Sequence, residues 1–117
     1  PDGEVVPNHR LTTDPTPPKR FAYMSDTAYT EKHLDLIHGV DCLYHESTFL
    51  TEDAARIKAT LHSSAAQAAT LAKKAEVKQL IIGHYSARYT DSKVFLDEAR
   101  AVFENTFAAR DGATYLF

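Results

Sequence analysis

The stretch VKQLIIGHYSARY, residues 77–89, combines the pattern of a buried strand with a group of reactive polar residues. Its first part is an apolar run that predicts a buried strand. Gly83 breaks this strand, and His84, Ser86 and Arg88 follow within five residues. An imidazole, a hydroxyl and a guanidinium at one strand end suit the binding and cleavage of a phosphate ester. Taken alone, the stretch is equally compatible with a core strand that runs into a polar loop.

The segments around this stretch alternate between the two types of secondary structure. Strands are predicted at residues 20–24, 41–44, 77–82 and 113–117, and helices at residues 30–38, 52–58, 64–76 and from 92 to near 110. This alternation implies parallel strand pairing through crossover connections. In sheets of this kind, ligands bind outside the carboxyl ends of the strands. The sequence therefore predicts an α/β fold with its functional groups along one edge of the sheet.

The helix that precedes the strand has the clearest local signals. Ser64 and Gln67 fit a capping box, so this helix is expected to begin at Ser64. Alanines recur along it at helical spacing, and such small side chains allow a close approach to a sheet. Thr30 and Ser92 are expected to cap the first and last helices. Gly39 is expected to end the first helix.

Composition limits the class of protein and its surroundings. The 117 residues predict one small domain or part of a larger one, with a loop-rich first segment at residues 1–19. Cys42 is the only cysteine, so no internal disulfide can form, and a reducing cytoplasm is expected. No apolar run predicts a signal peptide or a membrane partner. The chain begins with Pro1 in polar sequence, which predicts a fragment or a processed product.

The charge of the chain restricts how it could bind a polyanion. Its formal net charge of -3 offers no basic footprint for nucleic acid over the whole chain. Positive charge for such a ligand must therefore be local, or come from a metal or from another part of the protein.

Three predicted strand ends carry groups that can do chemistry. Asp26 follows the first strand, Glu46 follows the second, and His84 follows the third. Asp26 and His84 are of the types that bind zinc, and one carboxylate can bridge two metal ions. A catalytic metal usually has three protein ligands, however. Either these residues are not ligands, or the remaining ligands lie outside this chain.

Glu46 and His62 suggest proton transfer, if the fold brings them together. The carboxylate would then orient the imidazole, which could protonate an alkoxide leaving group. The alternative is that His62 enters a helix and donates to a backbone carbonyl. Ser86 and Arg88 are candidate phosphate binders, because arginine offers two parallel donors to phosphate oxygens. The alternative for Arg88 is a surface ion pair with Asp91 or Asp97.

Four motifs, in this order, resemble the ribonuclease Z family of tRNA 3′-processing endonucleases, within the metallo-β-lactamase superfamily. They are SDT at residues 25–27, HEST at 45–48, HSSA at 62–65 and GHYSARY at 83–89. The last is close to the family form GHFSxRY. HSSA departs slightly from the usual HSTA but keeps a hydroxyl. The likeness runs from about residue 20 to residue 89.

This resemblance implies a role for each matching residue. Asp26 would bridge two zinc ions, and His84 would be the last histidine ligand. Glu46 and His62 would deliver a proton to the leaving 3′ oxygen when the 3′ trailer is cleaved from precursor tRNA. Ser86 and Arg88 would lie near the tRNA 3′ end.

The resemblance also implies what the chain lacks. The family's His-x-His-x-Asp-His motif, one further histidine ligand and the arm that grips tRNA are absent. The chain is therefore expected to be the C-terminal half of a metallo-β-lactamase αββα sandwich, one mixed sheet with its flanking helices. It should have an exposed apolar sheet face, form a homodimer and be inactive without its N-terminal half. The alternatives are another hydrolase of the superfamily and a non-catalytic interaction lobe.

Overall fold

A computed structural model of the protein describes residues 16–117. Most of the predicted loop-rich segment, residues 1–15, lies outside the described residues. Residues 16–20 have no regular secondary structure. Within residues 16–117, no helix has both the length and the hydropathy needed to cross a membrane.

Strands and helices alternate along the chain, as predicted. The strands are β1 (Phe21–Met24), β2 (Cys42–Glu46), β3 (Leu80–Gly83) and β4 (Thr106–Ala108). The helices are α1 (Leu34–Ile37), α2 (Ala54–Thr60, after a 3₁₀ turn at Thr51–Asp53), α3 (Ala65–Lys74) and α4 (Lys93–Arg100). The sheet has the order β1-β2-β3-β4, and every neighbouring pair is parallel. The predicted parallel pairing is confirmed, whereas the mixed sheet that the resemblance implied is not seen among these four strands.

The helix caps agree only in part with prediction. At α3 the Ser64 side chain accepts from the Gln67 backbone, and the Gln67 side chain accepts from the Ser64 backbone, so the predicted capping box is confirmed. Gly39 has a φ of 68°, which suits its predicted role after the first helix. Ser92 precedes α4 but forms no side-chain cap. The helix predicted from Thr30 is only one turn long, because α1 begins at Leu34.

The C-terminal part of the chain differs from prediction. α4 ends at Arg100, and the fourth strand is Thr106–Ala108. Leu80 donates to the Asn105 carbonyl at 3.0 Å, and Arg100 Nε donates to the Thr106 carbonyl at 2.9 Å. These long-range hydrogen bonds hold residues 105–108 at the edge of the sheet and outweigh their local helix preference. Residues 113–117 form no strand, and the Tyr115 hydroxyl instead donates to the Ala108 carbonyl.

The two faces of the sheet have different surroundings. Leu43, Leu80 and Ile82 point toward the helices and are fully buried in the core. Alanines of α3 are also fully buried, so this helix lies close to the sheet, as their spacing predicted. Since successive side chains alternate between faces, the neighbouring positions point the other way.

The face away from the helices is aromatic and open. Phe21 is 51% exposed, Tyr23 66% and Phe107 38%. Tyr23 stacks on Tyr44 with ring centroids 4.7 Å apart, and Phe117 lies against Phe21 at 5.6 Å. The apolar sheet face that the resemblance implied is therefore present among the described residues. Self-association through this face stays a prediction.

Gly83, at the end of β3, allows a close approach of the Tyr44 ring. A Cβ at position 83 would clash with Tyr44 Oη and lie 2.9 Å from Cε2. We expect Gly83→Ala to destabilise the protein by about 1–3 kcal/mol, the usual cost of overpacking. Combining it with Tyr44→Phe removes the nearest clashing atom and should recover part of this loss in denaturant unfolding. Equal stability of Gly83→Ala and wild type would contradict the clash.

Candidate metal centre at the carboxyl edge of the sheet

The functional groups predicted at the strand ends meet at one edge of the sheet. β1, β2 and β3 are parallel neighbours, so Asp26, Glu46 and His84 leave the sheet side by side. His62 joins them from the loop before α3. One potential ligand atom from each of Asp26, His62 and His84 lies within 4.8 Å of the others. The topology therefore assembles three of the four predicted metal or catalytic residues into one cluster, and Glu46 lies directly behind it.

Glu46 is the buried centre of this arrangement, with no exposed surface. Its Oε1 accepts from the Thr27 backbone at 2.6 Å and from His62 Nδ1 at 2.8 Å. Its Oε2 accepts from the Thr48 hydroxyl at 2.5 Å and from the Ser63 backbone at 3.2 Å. Four donors surround one carboxylate, so its acceptor capacity is well used. The predicted Glu46–His62 pair is present, and His62 does not use its Nδ1 on a backbone carbonyl.

The surroundings of Glu46 keep it ionised. Burial acts to raise the pKa of the Glu46 carboxyl, but the hydrogen bonds from Thr48, His62, Ser63 and Thr27 outweigh it and hold the pKa below its usual value. An ionised carboxylate only accepts hydrogen bonds, so each of the four neighbours must donate to it.

This requirement determines which nitrogen of each histidine is free. The single proton of the Thr48 hydroxyl goes to Glu46, so this oxygen must accept from His84 Nδ1, which is 2.8 Å away. His62 Nδ1 likewise donates to Glu46. In their neutral forms, His62 and His84 therefore both keep a lone pair on Nε2. A metal-binding histidine is usually oriented through its other ring nitrogen in this way.

The exposed side of the cluster has space for a ligand. His84 Nε2 lies 3.8 Å from Asp26 Oδ1, beyond hydrogen-bond distance. The His62 and His84 rings stack with centroids 5.3 Å apart and an angle of 26° between their planes. The Asp26 and His84 side chains are 76% and 46% exposed, whereas that of His62 is 24% exposed. A carboxylate oxygen and two imidazole nitrogens that lie within 4.8 Å of one another fit a divalent metal such as zinc.

Unusual backbone conformations concentrate at this edge. Among residues 16–117, four non-glycine residues have positive φ: Asp26 at 49°, Leu61 at 57°, Glu76 at 53° and His84 at 61°. Two of these belong to the cluster, and Leu61 directly precedes His62. Aspartate and histidine tolerate this region better than most residues, whereas leucine rarely adopts it. Such conformations persist where the surrounding structure enforces them, typically at functional sites.

The two predicted phosphate binders have partners within the protein. Arg88 pairs with Asp53 at 2.8 Å, so neither Asp91 nor Asp97 is its partner. The Tyr89 hydroxyl also donates to Asp53, at 2.7 Å. Ser86 accepts from the Arg88 backbone at 3.3 Å. These contacts attach residues 83–89 to the start of α2. A phosphate role for Ser86 and Arg88 stays a prediction, and for Arg88 it requires opening of this ion pair.

Sequence reasoning did not single out the residues that orient the histidines. Thr27, Thr48 and Ser63 all donate to Glu46, and Thr48 also contacts His84. The available signal was their position, since each lies within two residues of a predicted site residue.

His45 is a buried histidine with an incomplete hydrogen-bond set. It has no exposed surface, its Nδ1 donates to the Glu46 carbonyl at 2.7 Å, and its Nε2 has no partner. Burial lowers the pKa of His45, and its bond to the Glu46 backbone opposes this only in part. The folded protein therefore holds His45 in its neutral form.

We expect this histidine to make the protein less stable in mild acid. Below the unfolded pKa of about 6.5, His45 binds a proton in the unfolded chain but not in the folded one. The free energy of unfolding should then fall by up to about 1.4 kcal/mol per pH unit until the lower folded pKa is reached. Denaturant unfolding between pH 7.5 and 5 measures this, with His45→Gln as the control. Parallel curves for the two proteins would contradict it.

Comparison with known proteins shows the family. The sequence profile of the beta-lactamase superfamily domain matches residues 10–85, more than half of the chain. The chain belongs to the beta-lactamase superfamily. Among curated superfamily relatives, ribonuclease Z of Porphyromonas gingivalis is 52% identical over 111 residues, which cover 95% of this chain and 36% of that protein. Ribonuclease Z of Parabacteroides distasonis is 54% identical over 112 residues, covering 96% of this chain and 37% of that protein.

Solved structures agree with this assignment. The metallo-beta-lactamase fold protein YhfI from Bacillus subtilis matches with a TM-score of 0.66 at 21% identity, covering 74% of this chain and 34% of that one. The short form of human tRNase Z (ELAC1) matches with a TM-score of 0.58 at 26% identity, covering 74% and 29%. The predicted superfamily fold and the resemblance to ribonuclease Z are confirmed. The chain spans about a third of the length of its curated relatives.

Proposed function

We propose that this chain forms part of a metal-dependent endoribonuclease that removes the 3′ trailer from precursor tRNA. The protein of the relatives' length that contains the chain is called the full-length protein below. The observation that carries the proposal is the cluster of Asp26, His62 and His84 over the buried Glu46. It occurs in a chain that is 52% identical to a ribonuclease Z.

Asp26 and His84 would hold metal in this proposal, with zinc as the ion and two ions in the full-length protein. A bound divalent metal supplies Lewis acidity, which activates water and stabilises charge on phosphoryl oxygens. Asp26 offers two carboxylate oxygens at the exposed side of the cluster, and His84 offers Nε2. The Thr48 hydroxyl holds the His84 ring in the required orientation.

His62 would act as the general acid. In this role His62 would react as the imidazolium, with a proton on each ring nitrogen. Its Nδ1 remains bonded to Glu46, so the proton given to the substrate is the one on Nε2. As the oxygen of water forms a bond to phosphorus and the bond between phosphorus and the leaving 3′ oxygen breaks, the leaving oxygen takes the proton from His62. The tRNA would then end in a 3′ hydroxyl, and the released trailer would carry a 5′ phosphate. One ring nitrogen of His62 also lies within 4.8 Å of ligand atoms of Asp26 and His84, so the alternative role for His62 is that of a metal ligand.

The remainder of the full-length protein would complete the site and cover the open aromatic face. This chain offers three ligand groups at the cluster, whereas two metal ions would need more, since a catalytic metal usually has three protein ligands. Phe21, Tyr23 and Phe107 leave an apolar surface that another part of the protein could bury. Precursor tRNA and a second protomer are the proposed partners of the complete enzyme, and the cytoplasm is its proposed location.

The proposal is tested by comparing the full-length protein with the 117-residue chain. We expect the full-length protein with zinc to cut a 3′-extended precursor tRNA after its last mature nucleotide, leaving a 3′ hydroxyl. Removing the metal with a chelator should abolish cleavage. The chain alone should bind zinc weakly and should not cleave. Efficient cleavage by the chain with stoichiometric zinc would contradict the divided site, and no cleavage by the full-length protein would overturn the function.

A further inference from the structure

We propose that a groove beside His62 binds the base of the nucleotide whose 3′ oxygen leaves. This inference rests on the proposed function and adds a substrate subsite to it. The groove, called the Leu61 groove below, has a volume of about 600 Å³. It lies between α2, the start of α3 and the loop after β1. The residues used in the argument are Tyr29, Ile57, Lys58, Leu61 and His62.

The position of His62 connects the groove to the reaction. The same ring lines the groove and belongs to the cluster with Asp26 and His84. Its Nδ1 is held by Glu46, so the ring has a defined place at the boundary between the two. A general acid must lie within hydrogen-bond reach of the oxygen that it protonates. The ribose that carries this oxygen would therefore lie beside His62, and its base would be within reach of the groove.

The lining of the groove suits a nucleobase. Ile57 and Leu61 provide apolar walls, and Tyr29 provides an aromatic ring. The hydroxyl of Tyr29 donates to Glu31 at 2.9 Å, and Glu31 pairs with Lys74 at 2.9 Å, so the tyrosine is anchored. Bases bind to such surfaces by stacking, with little dependence on sequence.

Lys58 adds a positive charge to the same groove. It is exposed and forms no ion pair with any residue in the described part of the chain. Lysine contacts to phosphate position a nucleic acid without reading its sequence. A cation at the edge of an apolar groove is better matched to a nucleotide than to an apolar protein segment.

Leu61 is the most unusual part of the lining. It has a φ of 57°, which favours glycine or asparagine, and 68% of its surface is exposed. A leucine in this conformation is strained, and its exposure shows that core packing does not require the side chain. Strain of this kind is a reason to propose a function. Contact with a base would explain why an apolar side chain is exposed to solvent at this position.

The test uses the full-length protein and two substrates. One is a precursor tRNA, and the other is the same RNA with an abasic residue immediately before the cleaved bond. We expect loss of the base to lower kcat/KM roughly tenfold, within the range for a stacked base. Leu61→Gly should lower kcat/KM by a similar factor on the normal substrate and change little on the abasic one. Glycine suits the positive φ, so this variant should fold.

The control is Leu36→Ala, because Leu36 is 74% exposed but does not line the groove. It should leave the ratio between the two substrates unchanged. Equal cleavage of both substrates by the wild type would overturn the subsite while leaving the proposed function intact. An equal loss on both substrates in Leu61→Gly would also overturn it, and would indicate that a protein segment occupies the groove. Failure of the wild type to cleave the normal substrate would overturn the proposed function itself.

Discussion

Replacing Asp26 with alanine in the full-length protein is expected to remove bound metal and abolish tRNA cleavage, whereas His62→Ala should slow cleavage with the metal retained. Asp26 offers a carboxylate at the exposed side of the cluster. Within residues 16–117, its side chain makes no hydrogen bond that would give it a purely structural role. His62 is held through Nδ1 by the buried Glu46, as an oriented general acid would be. Loss of a general acid typically costs roughly 10²–10⁴-fold in rate.

Metal content and kcat, measured on the same preparations, separate the two roles. His38→Ala is a matched control, because His38 also pairs with a glutamate, Glu76 at 2.7 Å, but lies on the surface outside the cluster. It should retain both metal and activity. Equal loss of metal in Asp26→Ala and His62→Ala would contradict the assignment and make His62 a third ligand. Full activity in His62→Ala would exclude it from proton transfer.

Replacing Glu46 is expected to have the largest effect on stability. Glu46→Ala would leave the four donors from Thr27, Thr48, His62 and Ser63 without their acceptor in a buried place. Removing one partner of a buried charged network costs roughly 3–5 kcal/mol. Glu46→Gln keeps the shape but puts an amide donor where an acceptor is needed, so it should cost less than alanine and more than a surface change. Denaturant unfolding at pH 7 measures both.

The same substitutions should disturb the chemistry and the response to pH. Without the carboxylate, His62 loses its acceptor, and the Thr48 hydroxyl that contacts His84 is no longer required to donate to residue 46. Cleavage should therefore fall at least as much as in His62→Ala. Because the folded pKa of Glu46 is lowered, its stabilising contribution is present above the unfolded pKa and is lost as pH falls through the folded value. The stability gap between wild type and Glu46→Gln should therefore narrow in acid.

Glu76→Gln provides the control for the Glu46 experiment. Glu76 forms an exposed pair with His38 and lies outside both the cluster and the Leu61 groove. Exposed pairs contribute little, so this variant should resemble the wild type in unfolding and cleavage. A Glu46→Gln protein that is as stable and as active as Glu76→Gln would show that the buried carboxylate does not organise the site.

The class of fold and the residue types at the sheet edge could be predicted from local sequence patterns. Alternating strand and helix signals implied parallel strands. The carboxyl ends of parallel strands lie at one edge of the sheet, because each connection crosses back over the sheet. The capping box at Ser64 could also be predicted, because it depends only on two residues three positions apart. The motifs of residues 25–27, 45–48, 62–65 and 83–89 were sufficient for the resemblance to ribonuclease Z.

The contacts between these groups depend on how distant segments pack. Glu46 and His62 are sixteen positions apart, and their hydrogen bond exists because β2 ends beside the start of α3. The partner of Arg88 is Asp53, which local sequence did not indicate. The last strand is Thr106–Ala108 and not the predicted residues 113–117, because long-range pairing outweighs local preference. The exposed, positive-φ conformation of Leu61 at the end of α2 has no signature in the sequence, because glycine or asparagine, not leucine, usually marks such a position. Residue types set the available chemistry, and the packing of distant segments set its geometry.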